Sequence, residues 1–426
     1  MRALDVPLLM LSLERSDSAP IKIHVGHNDY HRFVAVVAPN VTARQAEYDT
    51  VCLDLEWDKV VAISQLTSNS VSHLRVLSLN VTTMDRDHTA PVYAPFSCAL
   101  ALQELTLHLI SLDVTIILDC LQFTNLAVLS LLCTASISQS KVLEFLRVSP
   151  RLKRVELDLR RLTADETPCP PALLPGLRQL KINTTTSGNS HLQLLTNLVC
   201  PAAEDVIISV QPVYFGPLEA SPFQSSWGFF PRSSKVHTLG LQVEQSHIET
   251  TYSVGLLYGE ASRFEISFRY VSFGMSLASS NPCEFSAFPE IVRSLRAFPL
   301  NGVTRLSITG IYPSTIPPSN KPEVFTSIRE LLADAENLEI LTISSGCLPV
   351  VCRTLTPRPT PPTILCPRLD SIELLLPARR DSRNLVEELT MVCKARATVG
   401  RSVRVVSSTP QASSQSAPTD RQRYGS

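Results

Sequence analysis

Apolar and polar side chains alternate in one short pattern that returns along most of the chain. LAVLSL (126–131), LKRVEL (152–157) and LRQLKI (177–182) share the form LxxLxL and start 26 and 25 residues apart. The third and fifth positions are mostly polar or small and the fourth and sixth are apolar, the period-two alternation of a strand with one buried face. A strand this short cannot bury that face alone, and a helix-like stretch separates successive copies. The recurrence therefore predicts an α/β leucine-rich-repeat solenoid of irregular repeats, with parallel strands on its concave face and helices on its convex face.

Further copies predict strands at TVCLDL (50–55), LRVLSL (74–79), LQELTL (102–107) and AEDVIISV (203–210). The series continues at VHTLGL (236–241), ASRFEI (261–266), VTRLSI (303–308), LEILTI (338–343), LDSIEL (369–374) and GRSVRV (400–405), the last five starting 42, 35, 31 and 31 residues apart. IKIHV (21–25) reads as a strand ahead of them. Helical spacing marks DVTIILDCL (113–121), SQSKVLEFL (138–146) with Ser138 as N-cap, HLQLLTNLVCP (191–201), PEIVRSLRAF (289–298), KPEVFTSIRELLADA (321–335) and RNLVEELTMVCKARA (383–397).

Residues 1–20 are expected to form an N-terminal helix or cap, 21–406 the repeats, and 407–426 a disordered tail of Ser, Gln, Pro, Thr and Ala with little to bury. One stretch breaks the register. Residues 211–235 hold four prolines and six aromatics (Tyr214, Phe215, Phe223, Trp227, Phe229, Phe230), which reads as an insertion packed on the edge of the repeats or touching a partner.

Composition agrees with one long aliphatic core. A chain of 426 residues would ordinarily divide into several domains, but a repeat array extends a single core because each unit touches only its neighbours. Hydrophobic residues make up 44% and aromatics 6%, as stacked Leu, Ile and Val require. The net charge of −1 and pI of about 6.8 provide no concentrated basic field, so nucleic acid and anionic membrane are not expected as partners. No window holds 18 uninterrupted apolar residues, and the apolar run near the N-terminus is broken by Asp5 and Pro7, so neither a transmembrane helix nor a signal peptide is expected. Eleven cysteines lack framework spacing, and Cys52, Cys120 and Cys133 sit in apolar segments. They read as reduced thiols of an intracellular protein, cytoplasmic or nuclear, which makes the sequons at Asn40, Asn80 and Asn183 chance matches.

Candidate chemistry narrows to recognition. His24, His27, Asp29 and His31 cluster like metal ligands, but Gly26, Asn28 and Asp29 favour a loop; Cys347, Cys352, Cys366 and Cys393 depart from zinc spacing and read as buried thiols. The motifs GxSxG, GxxxxGK[ST], HExxH and GxGxxG are all absent. The expectation is a non-enzymatic chain without cofactor, metal or catalytic residues. Between the apolar anchors, Glu104, Thr106, His108, Arg154, Glu156, Asp158, Gln179, Lys181, Asn183, Arg263, Glu265 and Arg305 should project from the concave face. Their mixed charge suits a protein target, although an exposed strand face is polar with or without one.

LERSDSAPIKIHV (13–25) resembles the segment that joins the F-box to the repeats in the F-box/leucine-rich-repeat family of mushroom-type fungi. CPAAEDV (200–206) and CPRLDSIEL (366–374) resemble that family's strand-opening units, so the resemblance spans nearly the whole chain. It implies a substrate receptor that grips its target on the repeats while the F-box docks the adaptor of a cullin-type ubiquitin ligase. Only twelve residues precede Leu13, too few for that helical module, so the repeat domain is expected without its F-box and adaptor binding only if one lies upstream. The alternative is a structural or degenerate paralogue serving as a scaffold with no ligase role. Either is expected to be a monomer. The Asn or Cys usual three positions after the hexamer is replaced by Thr82, Ile110, Thr134 and Arg160, so no Asn ladder and an irregular curvature are expected.

Overall fold

The computed structural model describes residues 20–43, 47–81, 96–110, 118, 121, 123–163, 165, 169–186, 190–212, 236–245, 249–258, 262–271, 287–296, 300–310, 321–344, 347–359, 362–375 and 382–408. The expected N-terminal cap, almost all of the aromatic insertion and most of the C-terminal tail lie outside them. The fold is α/β with parallel sheet, in two compact units: Met1–Lys235 with Ser246–Phe298, and Val236–Gln245 with Pro299–Ser426.

In the first unit, β1 (Ile21–Gly26), β2 (Tyr48–Leu55), β3 (Val76–Val81), β4 (Glu104–Leu109), β5 (Val128–Ser138), β6 (Arg154–Thr163), β7 (Gln179–Thr186) and β8 (Asp205–Pro212) lie side by side in chain order, all parallel. The next strand in the chain, β9 (Val236–Gln245), belongs to the second unit. Beside β8 lies instead β11 (Ser262–Val271), again parallel, and β10 (Glu249–Tyr258) returns antiparallel along β11. Chain order thus fails at this point as a guide to spatial order, and β10 is a strand the hexamer did not mark. Only three residues join Tyr258 to Ser262, and a connection that short makes a hairpin, because a parallel crossover needs a dozen or more.

Register explains the hexamer. Leu77, Leu105, Leu129, Val155, Leu180 and Val206 are successive cross-strand partners, as are Leu79, Leu107, Leu131, Leu157, Ile182 and Ile208. All are at most 3% exposed. Each buried side chain of this size contributes roughly 1.5–3 kcal/mol, so two continuous aliphatic ladders dominate the core. A third runs Leu55, Val81, Leu109, Cys133, Leu159, Thr184, Val210, where Thr184 is the polar exception. Its hydroxyl is buried without a hydrogen-bond partner among the described residues.

The first leucine of each hexamer lies outside the strand. It ends a tight turn whose amide donates three residues back, as Leu74 does to Val71, Leu102 to Ala99, Leu152 to Ser149 and Leu177 to Leu174. The next two amides then donate to a single carbonyl of the preceding copy: Gln103 and Glu104 to Arg75, Ala127 and Val128 to Gln103, Lys153 and Arg154 to Ala127, Arg178 and Gln179 to Lys153. Backbone groups therefore tie the copies together where the strands begin. Beyond the hexamer, Thr134 stands where Asn was missed, and its hydroxyl donates to the Leu109 carbonyl of the previous copy at 3.4 Å.

Helices α1 (Trp57–Thr67), α2 (Gln139–Arg147), α3 (Ser190–Thr196) and α4 (Ala287–Leu295) belong to this unit. Ser138 caps α2 as expected, its Oγ accepting from the Lys141 amide at 3.3 Å. The expected loop after β1 is helical instead: His27–Asp29 make one tight turn that leads into helix through Ala43. Phe33, Val37 and Val41 are buried at i, i+4, i+8, so a helical stripe overrides the turn-forming Gly26 and Asn28.

In the second unit β9, β12 (Arg305–Thr309), β13 (Ile340–Ser344), β14 (Ser371–Leu375) and β15 (Arg404–Ser408) are parallel in that order. Leu239, Leu306, Leu341 and Ile372 form one buried ladder and Leu241, Ile308, Ile343 and Leu374 another. Two hexamers were framed two residues off. Thr50, taken as a first position, pairs with the third-position Val76, and Arg404, taken as a fifth, pairs with the third-position Ser371. Helices α5 (Lys321–Asp334) and α7 (Ser382–Thr398) match their predicted spans closely, and α6 (Leu348–Leu355), which was not predicted, contacts both. Cys347, Cys352 and Cys366 are buried, and burial pushes the Cys352 and Cys366 thiols up to about 12. Arg396 on α7 is wholly buried; Nη1 donates to the Leu365 and Leu355 carbonyls at 2.9 and 3.4 Å, and Nη2 to Cys366 at 2.8 Å. Among the described residues, no helix is long and apolar enough to cross a membrane.

Candidate functional site

The same register that buries the leucines arranges the residues between them in rows on the open face of the first unit. One row runs Glu104, Val128, Arg154, Gln179, Asp205, Arg263. The next runs Thr106, Ser130, Glu156, Lys181, Ile207, Glu265, and a third runs His108, Leu132, Asp158, Asn183, Ser209, Ser267. Neighbours within a row are about 4.8 Å apart.

Where β6, β7, β8 and β11 begin, the face is hollowed. Arg154, Glu156, Gln179, Lys181, Asp205 and Ile207 line one depression, and Lys153, Arg178, Glu204 and Arg263 line the one adjoining it. The charges here pair locally. Lys181 Nζ is 2.6 Å from Glu156 Oε1, Arg154 Nη2 is 3.8 Å from Glu156 Oε2, and Arg178 Nη1 is 3.9 Å from Glu204 Oε1. Arg263 pairs with Glu265 on its own strand. The cations keep more than half of their side-chain surface exposed. Exposed pairs of this kind are worth about 0–1 kcal/mol each, so exchanging them for a partner's charges costs the fold little.

Of the residues expected to bind, the structure gathers Arg154, Glu156, Lys181 and Arg263 at these depressions, with Glu265 attached through Arg263. Asp158 lies further along β6, and Glu104 and His108 are on β4, separated from β6 by β5. Arg305 belongs to the second unit, on β12 between Thr238 and Ile340. His108 is half-buried. Burial holds its imidazole below the usual range, with help from Arg160 and against the opposing pull of Asp54 and Asp158.

Lys153, Arg178, Glu204 and Asp205 were missed. The first three occupy the second position of their hexamers, the same residues whose carbonyls accept from the following copy or whose amides donate to the preceding one. A charge at position two was the available signal. The same position continues to Arg75, whose Nε donates to Asp49 Oδ1 at 2.6 Å and holds that carboxyl below the usual carboxylate range. Among the described residues, no group of three or more His, Cys, Asp or Glu is placed to hold a metal ion. What the surface can do chemically is present closely spaced charges of both signs on backbone hydrogen-bonded from copy to copy. No protein-family model matches the chain, and no curated protein matches it.

Proposed function

We propose that this chain is a protein-binding module, a leucine-rich-repeat solenoid whose open strand face grips a protein target. The observation that carries the reading is the charged surface where β6, β7, β8 and β11 begin: residues far apart in sequence, from Lys153 to Glu265, come together there as exposed pairs of both signs. Complementary charge on a partner would exchange with these pairs and fix its register, which favours specificity and association rate over raw affinity. Two ladders of buried leucine behind the face supply the rigidity such a surface needs. The resemblance of residues 13–25 to the linker of fungal F-box receptors extends the reading: the target is a substrate, and an F-box upstream would connect it to a ubiquitin ligase. The module acts as an intracellular monomer without catalytic residues or cofactor.

A photo-crosslinking amino acid at Gln179, in the centre of the depression, tests this in cells. The expected result is a defined crosslinked protein that is lost when Arg154 and Lys181 are both replaced by Glu. An unchanged adduct in that double variant would refute the assignment of the surface. Cullin-ligase subunits among the co-purified proteins would support the receptor role, and a partner set without them would instead favour the scaffold paralogue.

A further inference from the structure

The helix side of the second unit carries a cleft of a different character. It is lined by Arg329 from α5, Arg353 and Thr354 from α6, and an apolar floor of Phe325, Val350 and Leu365. Neither guanidinium takes part in an ion pair or hydrogen bond among the described residues, and no carboxylate is among the residues lining the cleft. That contrasts with the open face of the first unit, where Arg154, Arg178 and Arg263 each have a glutamate within ion-pair reach. Arg353 stands in the last turn of α6, where a cation is favoured by the helix dipole.

Two arginines that line one cleft repel each other, and an anion held between them would turn that repulsion into attraction. Each presents a planar fork of donors suited to oxyanions. Together they offer more donors and more charge than one carboxylate can use, whereas a phosphate monoester has three acceptor oxygens and a charge near −2 at neutral pH. The Thr354 hydroxyl, unengaged among the described residues, adds a further donor. Thr326 and Thr356 also line the cleft, but their hydroxyls already donate to Pro322 and Cys352 carbonyls at 2.8 and 2.6 Å. The apolar floor of Phe325, Val350 and Leu365 favours a ligand that also carries an apolar part. From this geometry we infer that the cleft between α5 and α6 binds a phosphate monoester carried on an apolar or aromatic body, with Arg329 and Arg353 as the phosphate clamp.

Titration of the full chain with phenyl phosphate at low ionic strength, followed calorimetrically, tests the site. Saturable binding is expected, tighter than for inorganic phosphate because only the ester reaches the floor. Replacing both arginines (R329Q/R353Q) should weaken it at least about tenfold, some 1.4 kcal/mol, without moving the unfolding midpoint. R161Q, at an exposed position of β6 in the first unit, should bind as the parent does. Absence of saturable binding, or affinity that survives the double substitution, would overturn the proposal. The cleft shares no residue with the protein-binding surface, so either assignment can fail without the other.

Discussion

Among the described residues, Arg396 is the largest wholly buried side chain and has no carboxylate among its hydrogen-bond partners. Three backbone carbonyls solvate it, one of them Leu355 at the end of α6, so the guanidinium closes a helix terminus and fastens the segment around Cys366 to α7. Burial lowers its pKa, though the carbonyl cage favours the charged form. Arg396→Met keeps the stem and removes the donors, leaving buried acceptors unmet at about 1–3 kcal/mol each. The expected loss in urea unfolding is about 2–4 kcal/mol, and an unchanged midpoint would mean that these carbonyls have other partners. Thr184 poses the opposite case. Valine has nearly its shape, and the neighbours along its ladder are Leu159 and Val210. Thr184→Val is expected to stabilise by about 1 kcal/mol by removing a buried hydroxyl without a partner; a destabilised variant would show that the hydroxyl is satisfied.

At the scale of elements, strands were easier to read than helices. Period-two alternation recurs along this chain, so each hexamer supports the others, and β3 to β8 all lie on predicted hexamers, each beginning at the third position rather than the first. Helices have no such chorus. The one through Tyr30–Ala43 and α1 contain runs of valine, a residue of strand propensity, and only the spacing of Phe33, Val37, Val41 and of Val60, Ile63 reveals the buried stripe. A polar cap makes the difference where one exists. Ser138 marked the start of α2 correctly, and its Oγ to Lys141 amide bond is present. Ser138→Ala should cost about 1 kcal/mol in thermal unfolding; a neutral result would assign the start of α2 to its buried Val142, Leu143 and Leu146 alone. What no local pattern could reveal is that β11 rather than β9 follows β8, because the choice depends on which copy completes the ladder.

For the whole molecule, the candidate surface was half legible. Third and fifth hexamer positions had to face away from the leucines, which placed Arg154, Glu156, Lys181 and Arg263 on the right side of the sheet. Their gathering at one end of neighbouring strands, with Lys153, Arg178 and Glu204 beside them, depends on the turn that precedes each strand. Arg305 shows the limit: its hexamer is sound, yet it serves the other unit. The central claim is that this open face, rather than the helix side, holds the protein partner. Once the partner crosslinked at Gln179 is in hand, its affinity for Lys181→Glu and for Gln65→Glu, an exposed position on α1, decides the matter. The account predicts at least about a tenfold loss for Lys181→Glu, some 1.4 kcal/mol, at an unchanged unfolding midpoint, with parental affinity for Gln65→Glu. Full affinity in the first variant and a loss in the second would contradict it.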